Sequence, residues 1–125
     1  DLPSDCALIL MGHGTSHYAN DVYAALDYRF KDLGHDNIHL ATVEGYPTLE
    51  NVIRLVKEQG AKKVILTPFM IVAGDHARND MSGEDEDSWK NQFQAAGYEV
   101  ECCLKGLGEY PAVQNMLIRH VTEVC

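Results

Sequence analysis

One pattern, used three times, constrains this chain more than anything else. A short apolar run ends in a turn that carries a side chain able to bind a metal or a proton. Cys6-Ala-Leu-Ile-Leu-Met11 runs into Gly12-His13-Gly14-Thr15-Ser16. Val64 to Val72 runs into Ala73-Gly74-Asp75-His76, and Ile38-His-Leu-Ala-Thr-Val43 delivers Glu44. Apolar runs of this length, bounded by turn signals, predict strands covered on both faces. Glycines on both sides of His13 let the backbone turn sharply and leave the imidazole unobstructed.

Helical spacing fills the intervals. Val22, Ala25, Leu26, Tyr28, Phe30 and Leu33 mark an amphipathic helix over Tyr18 to Leu33, stopped by Gly34. Leu49, Val52, Ile53 and Val56 mark a second, closed by Gly60. Pro68 inside the third apolar run predicts that the regular strand frays near Phe69. Residues 73–80 read as a polar loop, and Ser82 to Ala96 as a third helix with Trp89 and Phe93 one turn apart. Tyr98 to Leu104 reads as a fourth strand. Ala112 to Val124 reads as a last helix with Val113, Met116, Leu117 and Val121 on one face.

This β-α alternation predicts one α/β domain over residues 1–125, a four-stranded parallel sheet with helices on both faces. Such sheets bind ligands outside the carboxyl ends of their strands. His13, Glu44 and His76 each follow a strand, so they share that edge whatever the strand order.

The net charge of −9 excludes nucleic acid as a partner, because phosphate binding relies on clustered Lys and Arg. It gives no support to an anionic membrane surface, and no apolar run approaches the roughly 20 residues that span a bilayer. No secretory signal opens the chain, so a cytoplasmic location is expected. Because the chain starts at Asp1, a removed leader (hence a periplasmic location), a trimmed tag or a preceding domain stays open. Gly83-Glu-Asp-Glu-Asp87 reads as a solvated loop or helix start, with a second metal site as the lesser alternative. Cys6 and Cys102 read as small hydrophobes in strands and Cys125 as a chain-end thiol. Without a C-x-x-C pair, the cysteines suit a reducing compartment.

Two imidazoles and a carboxylate form an ordinary ligand set for cobalt, iron, nickel or zinc. With three protein ligands, further positions stay open, as in catalytic sites. Each residue alone has a plainer role, as loop, cap or surface group; their convergence at one sheet edge is what points to metal. His17, His35, His39 and His120 are not expected to be ligands, although His17 has a second reading as a proton shuttle. The glycine loops lack the spacing of a nucleotide site. No Ser or Cys sits in a nucleophile elbow. A phosphohistidine enzyme would want an arginine near His13, and Arg29, Arg54 and Arg78 are not placed persuasively for that.

Five motifs, read in order, resemble one family. They are Met11-Gly-His-Gly-Thr-Ser-His17, Val43-Glu-Gly-Tyr-Pro47, Leu66-Thr-Pro-Phe-Met-Ile-Val-Ala-Gly-Asp-His-Ala-Arg-Asn-Asp-Met81, Asp87-Ser-Trp-Lys90 and Gly106-Leu-Gly-Glu109. Together they strongly resemble the class II sirohydrochlorin cobaltochelatases of anaerobic cobalamin biosynthesis, relatives of ferrochelatase. The resemblance is to the carboxyl-terminal half of a two-lobed, chelatase-like protein. It implies insertion of Co²⁺, as substrate metal, into the tetrapyrrole sirohydrochlorin without ATP or any nucleotide. It implies His13, Glu44 and His76 as metal ligands, with His13 and His76 catalytic. It also implies a partner for this half, either a missing amino-terminal half or a second copy of the chain, and the long-form motifs favour the former. A short-form homodimeric chelatase for Co²⁺, Ni²⁺ or Fe²⁺ is one alternative. A non-catalytic metal- or tetrapyrrole-binding module is another. Sirohydrochlorin is a polycarboxylate, which makes Arg54, Arg78, Lys90 and Lys105 candidates for pairing with it. Met11, Tyr46, Phe69 and Met70 are candidates for packing on the macrocycle.

Overall fold

The computed structural model describes residues 2–124, with the Val124 side chain left out; Cys125 lies outside the described residues. Four strands form one parallel sheet: β1 (Cys6–Gly12), β2 (Ile38–Thr42), β3 (Lys63–Pro68) and β4 (Glu99–Cys102), in the spatial order β2-β1-β3-β4. β1 sits beside both β2 and β3, pairing Leu10 with Leu40 on one side and with Thr67 on the other. The helices are α1 (Asp21–Asp32), α2 (Leu49–Gln59), α3 (Asp75–Ser82), α4 (Trp89–Ala95) and α5 (Pro111–Val124).

The core lies between the sheet and α2, α3 and α4. Ala7, Ile9 and Met11 from β1 and Val64 and Leu66 from β3 meet Val52 and Val56 of α2, Met81 of α3 and Phe93 of α4. Phe93 is fully buried, and burying a side chain of that size contributes about 1.5–3 kcal/mol. Alternation along β1 and β3 sends Leu8, Leu10, Ile65 and Thr67 to the opposite face, where coverage is thinner. There Lys63 Nζ meets Glu101 Oε2 at 2.7 Å.

Two elements differ from their sequence patterns. The stretch read as one helix over Ser82 to Ala96 is helical only in α4; its first residue ends α3, and the acidic run lies between the two helices. α3 starts at Asp75, with a carboxylate in its first turn and Met81 anchoring its inner face. The chain then stops being helical, and α4 restarts where the Ser88 side chain accepts from the Asn91 N–H. The Asn91 amide donates to the carbonyls of Glu84 and Asp85, which fixes the acidic segment as a loop. Residues 73–80, expected as a polar loop, are therefore largely helical.

The first helix is preceded by a 3-10 turn, Tyr18–Asn20, and only part of its expected face is covered: Leu26 and Phe30 are half-buried. Val22 and Tyr28 are exposed, and Tyr23 instead lies over Gly12, where an added Cβ would fall 2.5 Å from its ring. α5 forms as expected, but Met116, Leu117 and Val121 are exposed rather than packed.

The most deeply buried polar side chain among the described residues is His39, on β2. Its Nε2 lies 2.9 Å from Gln59 Oε1, a pure acceptor, so Nε2 carries the proton. Its Nδ1 then accepts from the Lys31 ammonium at 3.3 Å, and Lys31 also donates to Asp27 at 3.0 Å. Burial, followed by the Lys31 charge, pushes the His39 pKa down. His39 is thus a structural residue, as its place within a strand suggested.

Candidate metal-handling site

The strand order reverses at β1: β2 lies on one side of it and β3 on the other. Crossovers therefore leave β1 and β3 toward opposite faces of the sheet, opening a crevice at their carboxyl ends. Each predicted residue follows a strand of the sheet in the chain: His13 after β1, Glu44 after β2 and His76 after β3.

His13 follows β1 directly. Gly14 is left-handed, with φ +80°, and an added Cβ there would fall 2.7 Å from the Thr42 Cβ and 2.9 Å from the Gly45 nitrogen. Only glycine allows that approach. The result is two loops lying backbone against backbone: Val43 N–H donates to the Gly12 carbonyl and Glu44 N–H to the His13 carbonyl, both at 3.0 Å. Thr42 shapes the second loop. Its hydroxyl accepts from Gly45 N–H at 3.0 Å and donates to the Pro47 carbonyl at 3.1 Å.

This packing brings the first two side chains together. His13 Nδ1 lies 3.7 Å from Glu44 Oε2, with the side chains 65% and 61% exposed. Nδ1 also lies 3.0 Å from the Gly14 carbonyl. A carbonyl only accepts, so this bond assigns the proton to Nδ1 and leaves the Nε2 lone pair free. An imidazole held this way is oriented as metal-ligating histidines are, with one nitrogen on a carbonyl or carboxylate and the other available.

His76 stands apart. It is the second residue of α3, exposed, and no hydrogen bond or ion pair joins it to His13 or Glu44. Among the described residues no three His, Cys, Asp or Glu side chains converge as a metal-holding group. The loop that leads into α3 is nevertheless firmly placed. Phe69 N–H donates to the Met11 carbonyl at 2.7 Å, Leu107 N–H to the Met70 carbonyl at 2.6 Å and Gly108 N–H to the Ile71 carbonyl at 2.8 Å. The Gly106-Leu-Gly108 motif works by its lack of side chains: a Cβ at either glycine would fall within 2.9 Å of the Ile71 carbonyl oxygen.

Two recesses adjoin these loops. One, of about 440 Å³, lies beside Glu44 and is lined by Val43, Gly45, Glu50, Asp80, Asp87 and Trp89. The other, of about 480 Å³, is lined chiefly by Ile71, Val72, Ala73 and Leu117, with Arg78 and Glu109 at its edge. Arg78 Nε donates to the Ala73 carbonyl at 3.1 Å, which aims its guanidinium. Glu109 Oε2 accepts from Gly106 N–H at 2.8 Å.

Several sequence readings are refined here. Met11 is fully buried in the core, so it cannot pack against a ligand. Tyr46 is exposed, and Phe69 and Met70 are half-buried. His17 acts as a cap: its Nδ1 accepts from Ala19 N–H at 3.1 Å. Cys103, at the carboxyl end of β4, went unassigned in the sequence. Its thiol pKa is lowered, first by the backbone N–H of Lys105 and then by the hydroxyls of Tyr110 and Thr67. Asn20, which links the His13 and Glu44 loops, also went unassigned.

The comparisons with known proteins agree with this architecture. The family model for cobalt chelatase (CbiK) matches residues 2–125. The chain is 42% identical over 91% of its length to a sirohydrochlorin cobaltochelatase of Salmonella typhimurium. It is 35% identical over 94% of its length to the sirohydrochlorin cobaltochelatase CbiKC of Nitratidesulfovibrio vulgaris. It covers 43% and 42% of those proteins, so it spans less than half the length of the curated relatives it matches. A crystal structure described as a cobalamin (vitamin B12) biosynthesis CbiX protein, from Marinobacter aquaeolei VT8, superposes with a TM-score of 0.71 at 21% identity. That superposition covers 94% of this chain and 92% of the other, a likeness of fold. A parallel sheet with His13 and Glu44 joined at its carboxyl edge, matched along nearly its whole length by one family model, belongs to the CbiK cobalt chelatase family.

Proposed function

We propose that this chain is the metal-handling lobe of a sirohydrochlorin cobaltochelatase, which inserts Co²⁺ into sirohydrochlorin without ATP. The observation that carries the reading is the His13–Glu44 pair, held at 3.7 Å by backbone contacts in a chain of the cobalt chelatase family.

The reaction exchanges one Co²⁺ for two pyrrole N–H protons. Co²⁺ is the substrate metal, and a site that serves it must hold the ion loosely and accept protons. An exposed pair suits the first need, because a solvated site gives neither partner the strong electrostatics of a buried one. The free Nε2 of His13 suits the second. It holds Co²⁺ by its lone pair, and once the ion has passed to the macrocycle the same lone pair takes one of the two pyrrole protons, the other leaving to solvent water. Glu44 supplies negative charge beside it. His76, in the first turn of α3, completes the set when substrate and a second lobe close the crevice. The acidic recess beside Glu44 raises the local concentration of divalent cations.

The macrocycle packs on the apolar recess of Ile71, Val72 and Leu117, with Arg78 facing its carboxylates. One lobe leaves a tetrapyrrole open on its other side. The second wall comes from an amino-terminal half or a second copy, and the exposed apolar face of α5 supports a partner of that kind. None of the described cysteines is bridged, and no described helix is long and apolar enough to cross a membrane. The cytoplasm is the proposed setting.

The test is anaerobic absorbance of sirohydrochlorin with Co²⁺ in the full-length protein. His13→Ala and His76→Ala should each abolish the enzyme-dependent rate. Near-normal insertion by either would end the assignment of that residue, and tight binding of Co²⁺ or tetrapyrrole without turnover would make the protein a carrier.

A further inference from the structure

The two loops that carry His13 and Glu44 are held together by a residue from a third element. Asn20 ends the 3-10 turn ahead of α1, and it is 8% exposed. Its Oδ1 accepts from Thr15 N–H at 2.8 Å. Its Nδ2 donates to the Tyr46 carbonyl at 2.7 Å. Thr15 lies two residues after His13, and Tyr46 two residues after Glu44. One amide therefore grips both loops just beyond their functional side chains.

The chemistry of the grip is specific to asparagine. Thr15 N–H can only donate and the Tyr46 carbonyl can only accept, so the partners require one acceptor and one donor on a short side chain. Aspartate has the shape but no donor when ionised. Glutamine is a methylene too long for a space this tight, since a Cβ on Gly45 would fall 2.4 Å from the Asn20 Oδ1. Asn20 makes no side-chain cap to α1, so helix capping does not account for it.

We infer that Asn20 is a positioning residue that sets the His13–Glu44 separation and with it the affinity for Co²⁺. The inference rests on the proposed role of that pair. Asn20 touches neither the ion nor the macrocycle; it acts through the two loops. Its loss should therefore weaken Co²⁺ and leave sirohydrochlorin binding alone.

The experiment uses the full-length protein with Asn20→Ala and Asn20→Asp, titrated with Co²⁺ and followed by the visible absorption of the protein-bound ion. Both variants should lose about 10- to 100-fold in Co²⁺ affinity, the range for groups that orient a ligand. KM for Co²⁺ should rise and KM for sirohydrochlorin should hold. Asn20→Asp adds a signature that general loosening would not give. Protonated, the aspartate regains an O–H donor for the Tyr46 carbonyl, so its Co²⁺ affinity relative to wild type should recover as pH falls. Asn20→Asp keeps the Thr15 bond and carries the test if Asn20→Ala does not fold. Unchanged Co²⁺ affinity in Asn20→Asp, or equal rises in both KM values, overturns the inference. His13→Ala separates it from the reading beneath it. If His13→Ala weakens Co²⁺ and Asn20→Asp does not, only the role of Asn20 falls; if His13→Ala binds Co²⁺ like wild type, the assignment of the pair falls with it.

Discussion

Glu44 donates its backbone N–H to the His13 carbonyl at 3.0 Å while its carboxylate reaches within 3.7 Å of the His13 ring. The separation of the two side chains is therefore set by main chain and not by the side chains themselves. Even a fully charged pair this exposed contributes only about 0–1 kcal/mol, so the side-chain contact would not hold such a geometry. Here the turn glycine at position 14, the hydroxyl of Thr42 and the Asn20 amide that bridges the two loops do so.

Glu44→Gln keeps the shape of that arrangement and removes its charge. In the full-length protein the expected result is a rise in KM for Co²⁺ on the order of 10- to 100-fold, with a smaller change in kcat. Steady-state rates at saturating sirohydrochlorin measure both. A fall in kcat at unchanged KM would move the role of Glu44 from holding the ion to the transfer step.

His39 makes stability depend on pH. Its folded pKa is pushed below the ordinary value, first by burial and then by the Lys31 ammonium, against opposing effects of Gln59 and Asp27. A lowered folded pKa means that the unfolded chain binds the proton more readily. The contribution of His39 is therefore present above about pH 6.5 and is lost as pH falls through the folded value, at about 1.4 kcal/mol for each unit between the two pKa values. Urea midpoints from pH 8 down to 5 should fall on the acid side for the wild type, with a shallower fall in His39→Leu. Parallel profiles for the two proteins would remove His39 as the source.

Much of the layout of the candidate site was readable from sequence because it depends on strand ends, which short apolar runs and flanking glycines mark well. His13 and Glu44 belong to that class. His76 was legible as a strand-end residue but not as a helical one. The apolar signal pauses over residues 73–80, and a helix anchored through Met81 alone leaves little periodicity to detect. Asn20 was not legible at all. Its partners lie five and 26 residues away, and what distinguishes it is their geometry. Lys31 and Gln59 around His39 are hidden for the same reason.

Two glycines separate steric crowding from backbone strain. A Cβ on Gly106 would fall 2.8 Å from the Ile71 carbonyl oxygen, at an ordinary negative φ. Gly97 has φ +97° with nothing within 4 Å. Gly97→Ala should cost about 1–2 kcal/mol from conformation alone. Gly106→Ala should cost about 1–3 kcal/mol and also displace the loop ahead of His76, so it should slow Co²⁺ insertion where Gly97→Ala does not. Chemical denaturation and insertion rates together check this; equal rates for the two variants would mean that the Gly106 contact does not govern the His76 loop.

The apolar face of α5 makes the most direct prediction about a second lobe. Met116, Leu117, Ile118 and Val121 are 42%, 43%, 64% and 59% exposed, although they are spaced to pack together. Placing charge on a face that stays in water changes stability by no more than about 0.5 kcal/mol. Placing it on a face that a partner buries leaves an unpaired charge inside an interface, at a cost of several kcal/mol. The paired substitution Met116→Lys with Val121→Lys should therefore leave the melting of this 125-residue chain nearly unchanged. In the full-length protein it should destabilise the association of the lobes and suppress insertion. Melting curves and solution mass for both lengths of protein distinguish the cases. A full-length variant as stable and as active as wild type would show that α5 stays in water and that the second wall of the crevice is held elsewhere.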